Sequence, residues 1–402
     1  TLASLGCGLA HAQGLLVGAR AVQGLGGAIL SAVALSLIMN LFTEPAERAK
    51  AMGVFGFVSA GGGSIGVLLG GVLTNALNWH WIFLVNLPIG VVVCALSLLL
   101  LPSGHRPASA ARLDIAGAIA VTASLLLAVY AIVNGNQAGW TSAQTLGLLT
   151  AAAALLALFL RIEARVSSPL IPLGLLRLRN VATANVAGVL WAASMFAWFF
   201  LSALYLQLVL GYSPLQVGLA FLPANLIMGV FSLGLSARLV MRFGIKAPLA
   251  LGLLLAAVGL ALFARAPVDG HFAADVLPSM ILLGFGAGIA FNPMLLAAMS
   301  DVAPTDSGLA SGVVNTAFMM GGALGLAVLA SLAASRTTGL LASGEARLAA
   351  LNGGYHAAFL VGALFAAAAA VLSVVFLRTT AAAAPGNIEC TEALDNVVCA
   401  AA

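Results

Sequence analysis

Apolar residues dominate this chain in runs of about twenty, and polar positions gather into short breaks between them. Runs near 14–42, 51–76, 82–101, 114–134, 144–161, 181–210, 214–239, 246–265, 275–300, 307–334 and 354–377 each predict a helix. At 1.5 Å of rise per residue, such lengths match a hydrocarbon core about 30 Å thick. The opening run, "TLASLGCGLAHA", gives only 12 residues before the polar break at His11 to Gln13. Spanning takes about 20, so residues 1–12 read as the second half of a helix. The prediction is eleven full membrane helices and a half, joined by breaks such as "TEPAERAK", "RVSSPLIP" and "GYSPLQ" that carry the usual turn residues.

The basic residues test this count, because cytoplasmic connections collect Lys and Arg and every second connection should be cytoplasmic. One alternate set, with the tail, holds Arg48, Lys50, Arg106, Arg112, Arg161, Arg165, Arg177, Arg179, Arg238, Arg242, Lys246 and Arg378. The other set holds only Arg265, Arg336 and Arg347, and Arg20 lies inside a span. A 12 to 3 split that alternates with the loops predicts a multi-pass protein of the inner (plasma) membrane with a cytoplasmic C-terminus. Trp79, Trp81 and Trp140 fall at the outer helix ends, as an interfacial aromatic belt would.

Composition agrees: 62% of residues are hydrophobic and 7% charged, against about 25% charged in soluble domains. The net charge of +4 is then a matter of topology rather than of nucleic-acid binding. Cys7, Cys94, Cys390 and Cys399 have no metal-ligand spacing, and neither a metal nor a cofactor is expected. The alanine-rich tail after Thr379 lacks an amphipathic pattern and is expected to be disordered.

The candidate chemistry is sparse. Both lysines, Lys50 and Lys246, are followed by alanine, so no nucleotide-binding P-loop is present. The twelve acidic residues all fall in connections, at span ends or in the tail. Arg20, in "GLLVGARAVQGLGG", is the single charge well inside a span, and Gln23 shares its helix face. It either snorkels to the outer interface or faces the bundle interior, where it would bias a protonatable group or an anionic substrate. Gly62, Gly66 and Gly70 are four apart and line one face of the span that also carries Gly53 and Gly71, which predicts close helix approach. "GGSIG" matches the form of a hydrolase nucleophile elbow, but Ser64 lies in a helical run and lacks the strand-to-helix turn. Trp198, Phe199, Tyr205 and Gln207 on one helix, with Asn225, Asn292 and Asn315 on others, could line a pocket for flat apolar compounds. Helix packing against lipid accounts for the same aromatics, since a long apolar helix does not reveal its inner face.

"LLVGARAVQGLGGA" resembles the fourth-helix motif of the major facilitator superfamily, and the glycines from Gly53 to Gly71 match its fifth-helix antiporter motif, with Val67 where proline is usual. "NWHWIFLVNLPIG", "RLDIAGA", "ARLVMRFGIKAP" and "LASGVVNTAFMMGGALG" are similar to other segments of the 14-helix drug:proton antiporters of EmrB/QacA type. That resemblance implies an all-α major facilitator fold of two helical bundles with two extra linking helices. Residues 1–12 would be the truncated third helix, 13–101 the rest of the N-terminal bundle, 102–178 the linking helices and basic loops, 179–378 the C-terminal six-helix bundle, and 379–402 the tail. The first two and a half helices would be missing, and with them the acidic residue that would partner Arg20. The implied activity is export of drugs or other amphiphilic compounds by alternating access, coupled to protons through Arg20 and Gln23, with the glycine face serving the conformational change. The implied partners are the bilayer, a small amphiphilic substrate, protons and a periplasmic adaptor protein. The alternatives are a facilitator carrier for one metabolite and an intramembrane hydrolase using Ser64.

Overall fold

The computed structural model describes residues 1–42, 47, 51, 58, 62, 65–66, 68–100, 114–166, 169–171, 174–231, 235–300, 302 and 307–378. Among these residues every regular element is helical. The N-terminal part holds α1 (Leu2–Gly8), α2 (Gln13–Leu41), α3 (68–76), α4 (Trp81–Leu84) and α5 (Asn86–Leu100). A helical pair follows, α6 (Ile115–Ala138) and α7 (Ala143–Glu163). The rest is α8 (Arg179–Leu204, extended by a π-helical turn at Tyr205–Val209), α9 (Pro214–Val230), α10 (Ser236–Phe243), α11 (Lys246–Phe263), α12 (Leu277–Met299, preceded by a π-helical turn at Phe272–Val276), α13 (Ser307–Ala342) and α14 (Arg347–Phe376). Eight helices among the described residues are long and apolar enough to cross a membrane.

The ends follow local chemistry. Ser213 caps α9 by accepting from the Gln216 amide, Gln216 answers by accepting from the Ser213 amide, and Pro214 sits at the first helical position, where no amide is needed. Asp114 and Ser142 cap α6 and α7 through the amides of Gly117 and Thr145. Gly244, at φ 73°, ends α10 in the left-handed region that side chains avoid. This short basic helix exposes Met241 and Phe243 beside Arg238 and Arg242, the make-up of a segment lying in a membrane interface. The predicted span 214–239 is described as α9 and α10, with residues 232–234 between them outside the described residues. The last two helices outrun their predicted bounds: α13 has 36 residues and α14 has 30.

The main buried core lies among α8, α9 and α11 to α14. Small residues set the helix spacing there. A Cβ on Gly252 would lie 2.8 Å from the Gly286 carbonyl oxygen, and one on Gly286 would lie 2.8 Å from that of Gly252, so α11 and α12 meet backbone to backbone. Gly321 and Gly325 bring α13 against Val189 and Ala193 of α8 in the same way. Polar side chains fasten the bundle further: Ser194 donates to the Gly362 carbonyl at 2.8 Å and Asn352 to that of Ala266 at 2.9 Å.

The pair α6/α7 is joined by Ser124 donating to the Ala152 carbonyl at 2.7 Å, and α6 docks on α13. Its clasp is Asn136, which donates to the carbonyl and hydroxyl oxygens of Ser331 at 2.7 and 3.0 Å and accepts from the Trp140 indole at 2.9 Å. Ser331 returns a bond to the Ile132 carbonyl at 3.1 Å. In the N-terminal part α1 packs on α2, α4 and α5.

The expected tail and the basic loop at 101–113 lie outside the described residues, as do Gly53, Ser64 and Val67.

Candidate transport site

Arg20 sits on α2, two turns in from Gln13, and it is exposed. Its Nη1 donates to Gln23 Oε1, and its guanidinium lies 5.7 Å from the Phe83 ring centre on α4. Gln23 in turn donates to Ser4 Oγ of α1 at 2.8 Å, and the Cys7 thiol lies 3.9 Å from its carbonyl oxygen. The two predicted coupling residues are therefore joined in one polar chain that crosses from α2 to α1. Among the described residues Arg20 has no carboxylate partner. A carboxamide and an aromatic face hold its exposed head between α2 and α4. Such a guanidinium is free to pair with an arriving acid.

The glycine face divides. A Cβ on Gly62, Gly66 or Gly70 would meet nothing within 4 Å, whereas one on Gly71 would lie 2.6 Å from the Pro214 carbonyl oxygen. Among the described residues, then, the Gly62, Gly66 and Gly70 face makes no close approach, and Gly71, about 100° round the helix from Gly70, makes one where α3 meets the first turn of α9.

The predicted pocket residues also separate. Trp198 and Tyr205 are each 1% exposed and Asn225 is 3% exposed, so all three belong to the packed core. Tyr205 spends its hydroxyl on the Pro267 carbonyl at 2.7 Å and sets its ring edge-on to Phe263, which makes it a peg rather than a pocket wall. Trp198 stacks into a cluster with Phe199 and Phe221, centroids 4.3 and 6.0 Å away. Gln207 is exposed on the π-helical turn, away from this cluster. Phe199 and Asn292 are half-buried and Asn315 is exposed, so these remain reachable.

A second aromatic group joins α8, α12 and α13. Phe318 of α13 lies edge-on to Phe196 of α8 at 6.1 Å and to Phe291 of α12 at 6.2 Å. Asn292 follows Phe291 in the chain, Asn315 is one turn before Phe318, and Met319 is 48% exposed beside it. Three helices thus bring three aromatic rings together. Neither Phe291 nor Phe318 was among the residues expected from sequence. The available signal was for Phe318 alone, three residues from Asn315 and so on the same helix face.

The sequence profile of the Major Facilitator Superfamily matches residues 1–326. The chain belongs to this superfamily. Within the superfamily it is 38% identical over 400 residues to the puromycin resistance protein pur8 of Streptomyces alboniger, covering 98% of this chain and 79% of that protein. It is 37% identical over 391 residues to the cephamycin export protein CmcT of Amycolatopsis lactamdurans, covering 96% and 79%. To the multidrug resistance protein Stp of Mycobacterium tuberculosis it is 34% identical over 337 residues, covering 83% and 62%. As a facilitator-superfamily member this chain is a multi-pass membrane transporter of small substrates and not an enzyme, which removes the Ser64 hydrolase reading.

Proposed function

We propose that this transporter exports amphiphilic, drug-like compounds across the plasma membrane in exchange for protons, by alternating access of its two helical bundles. The observation that carries the reading is likeness along nearly the whole chain to proteins named for resistance to, or export of, antibiotics. The joined rings of Phe196, Phe291 and Phe318 support a broad rather than a single-metabolite specificity, because aromatic edges accept many flat ligands without fixing one geometry. Arg20 with Gln23 is assigned to proton coupling. The arginine does not itself titrate, since its pKa exceeds 12, but its charge shifts the acidity of a carboxyl that comes against it. The alternation of basic loops supports a cytoplasmic C-terminus.

The test is dye efflux from proteoliposomes under an imposed proton gradient. Substrate movement should follow the gradient and stop on adding an uncoupler. Export that persists unchanged with the uncoupler would reject the antiport mechanism, and absence of dye movement under any gradient would reject the substrate class.

A further inference from the structure

Between α9 and α11 the chain carries cations with no acid to answer them. Arg238 and Arg242 of α10 are exposed and meet no carboxylate among the described residues, and Lys246 opens α11. From residue 164 to residue 268 the sequence contains neither Asp nor Glu.

α10 has two distinct faces. Ser236 is fully buried and donates to the Ile289 carbonyl of α12 at 3.1 Å, which fixes the inner face. Arg238 lies about 160° round the helix from Ser236, Arg242 about 40° from Arg238, and Leu235 and Met241 about 60° to either side of Arg238. The outer face is therefore a pair of guanidiniums flanked by apolar side chains, with Met241 79% and Leu235 39% exposed. Phe243, 56% exposed, ends the helix with its ring centre 5.3 Å from the Arg242 guanidinium.

The position of this face narrows what can cover it. α10 ends at Phe243, and α11, long and apolar enough to cross a membrane, starts at Lys246. The cations thus sit where a crossing begins, at the depth of lipid headgroups. A soluble polyanion would answer the charge but leave Met241 and Leu235 in water. A phospholipid answers both, because its phosphate pairs with a guanidinium while its glycerol and upper acyl chain cover the apolar flanks.

We propose that the outer face of α10 binds anionic phospholipid headgroups, with Arg238 and Arg242 as the phosphate ligands and Leu235, Met241 and Phe243 against the lipid below. Negative lipid surface charge attracts such basic segments beside membrane helices. Since Ser236 ties the opposite face to α12, a bound lipid braces the connection from α9 to α11 against that helix.

Lipid retention by the purified full chain, read by native mass spectrometry, tests this independently of transport. Phosphatidylglycerol and phosphatidylcholine are titrated in turn, with glycerol 1-phosphate as a water-soluble competitor. One Arg near a charged membrane surface contributes about 1 kcal/mol, or about fivefold in affinity. Arg238→Gln and Arg242→Gln should each lower the preference for phosphatidylglycerol by that factor, and the double variant by about thirtyfold. Glutamine is nearly as good a helix former as arginine, so α10 should survive the change. Arg161→Gln with Arg165→Gln, exposed on either side of Glu163 at the end of α7, should leave the preference unchanged. Equal retention of both lipids by the unaltered protein, or a preference that survives the double variant on α10, would overturn the proposal. An equal loss from the α7 pair would also overturn it, returning the effect to overall charge. Displacement of the lipid by an equal concentration of glycerol 1-phosphate would do the same, giving the face to a free anion.

Discussion

Asn136 on α6 donates to the Ser331 carbonyl on α13 at 2.7 Å and to its hydroxyl at 3.0 Å, across 195 residues of chain. With the Trp140 indole donating back to Asn136, the carboxamide is satisfied on both sides, and the linking pair is fastened to the C-terminal bundle. Hydrogen bonds between membrane helices average about 0.6 kcal/mol and reach about 1.7 kcal/mol. A double-mutant cycle of Asn136→Ala and Ser331→Ala, read by thermal denaturation in detergent, should return a coupling energy in that range. Additive effects would mean that the clasp holds nothing.

The second prediction concerns Arg20 and Gln23, which the structure joins by a hydrogen bond within α2. Arg20→Lys keeps the charge but loses the planar fork that addresses both Gln23 and the Phe83 face. Proton-driven efflux in proteoliposomes should fall about tenfold, the effect of losing one charge-assisted contact of about 1.4 kcal/mol. Gln23→Ala should also reduce it, since Gln23 ties the arginine to Ser4. Undiminished gradient-driven efflux in both variants would remove this pair from the coupling mechanism.

Close helix contact makes a third prediction on α13. A Cβ on Gly321 would lie 2.7 Å from Val189 Cα, a backbone atom that cannot swing aside, whereas one on Gly339 meets nothing within 4 Å. Gly321→Ala should therefore cost about 1–3 kcal/mol through overpacking. Gly339→Ala should be neutral or slightly stabilising, because alanine is the better helix former. Melting temperatures of the two variants compared with the parent decide the point, and equal melting would contradict the packing.

Phe318 and Tyr205 should respond in different ways. Phe318 joins Phe196 to Phe291, so Phe318→Ala should raise the half-saturating substrate concentration about two- to twelvefold, as expected for aromatic contacts of about 0.5–1.5 kcal/mol. Tyr205→Phe loses only the bond to Pro267 and should cost about 1 kcal/mol of stability without changing that concentration. Measured dye-transport saturation curves for both variants would expose a reversed assignment.

The chain's apolar runs determined where helices lie, since a bilayer demands about twenty satisfied backbone residues per crossing and the breaks must carry the polar groups. Ten of the eleven predicted full spans fall on described helices, while residues 51–76 are described only in part. The loop charges suggested how the chain threads the bilayer, because a miscounted helix would have scrambled their alternation. The glycine and arginine segments gave the family, since those residue types recur at its fixed spacings. What the sequence could not determine was facing. In lipid the outer side of a helix is as apolar as its inner side, so Trp198 and Tyr205 looked like pocket residues, whereas packing buried both. Only the tertiary structure put Phe318 between Phe196 and Phe291 and held Arg20 beside Phe83. Each depends on which helices meet, and that is set by small-residue contacts such as Gly321 with Val189, between helices far apart in the chain but adjacent in space.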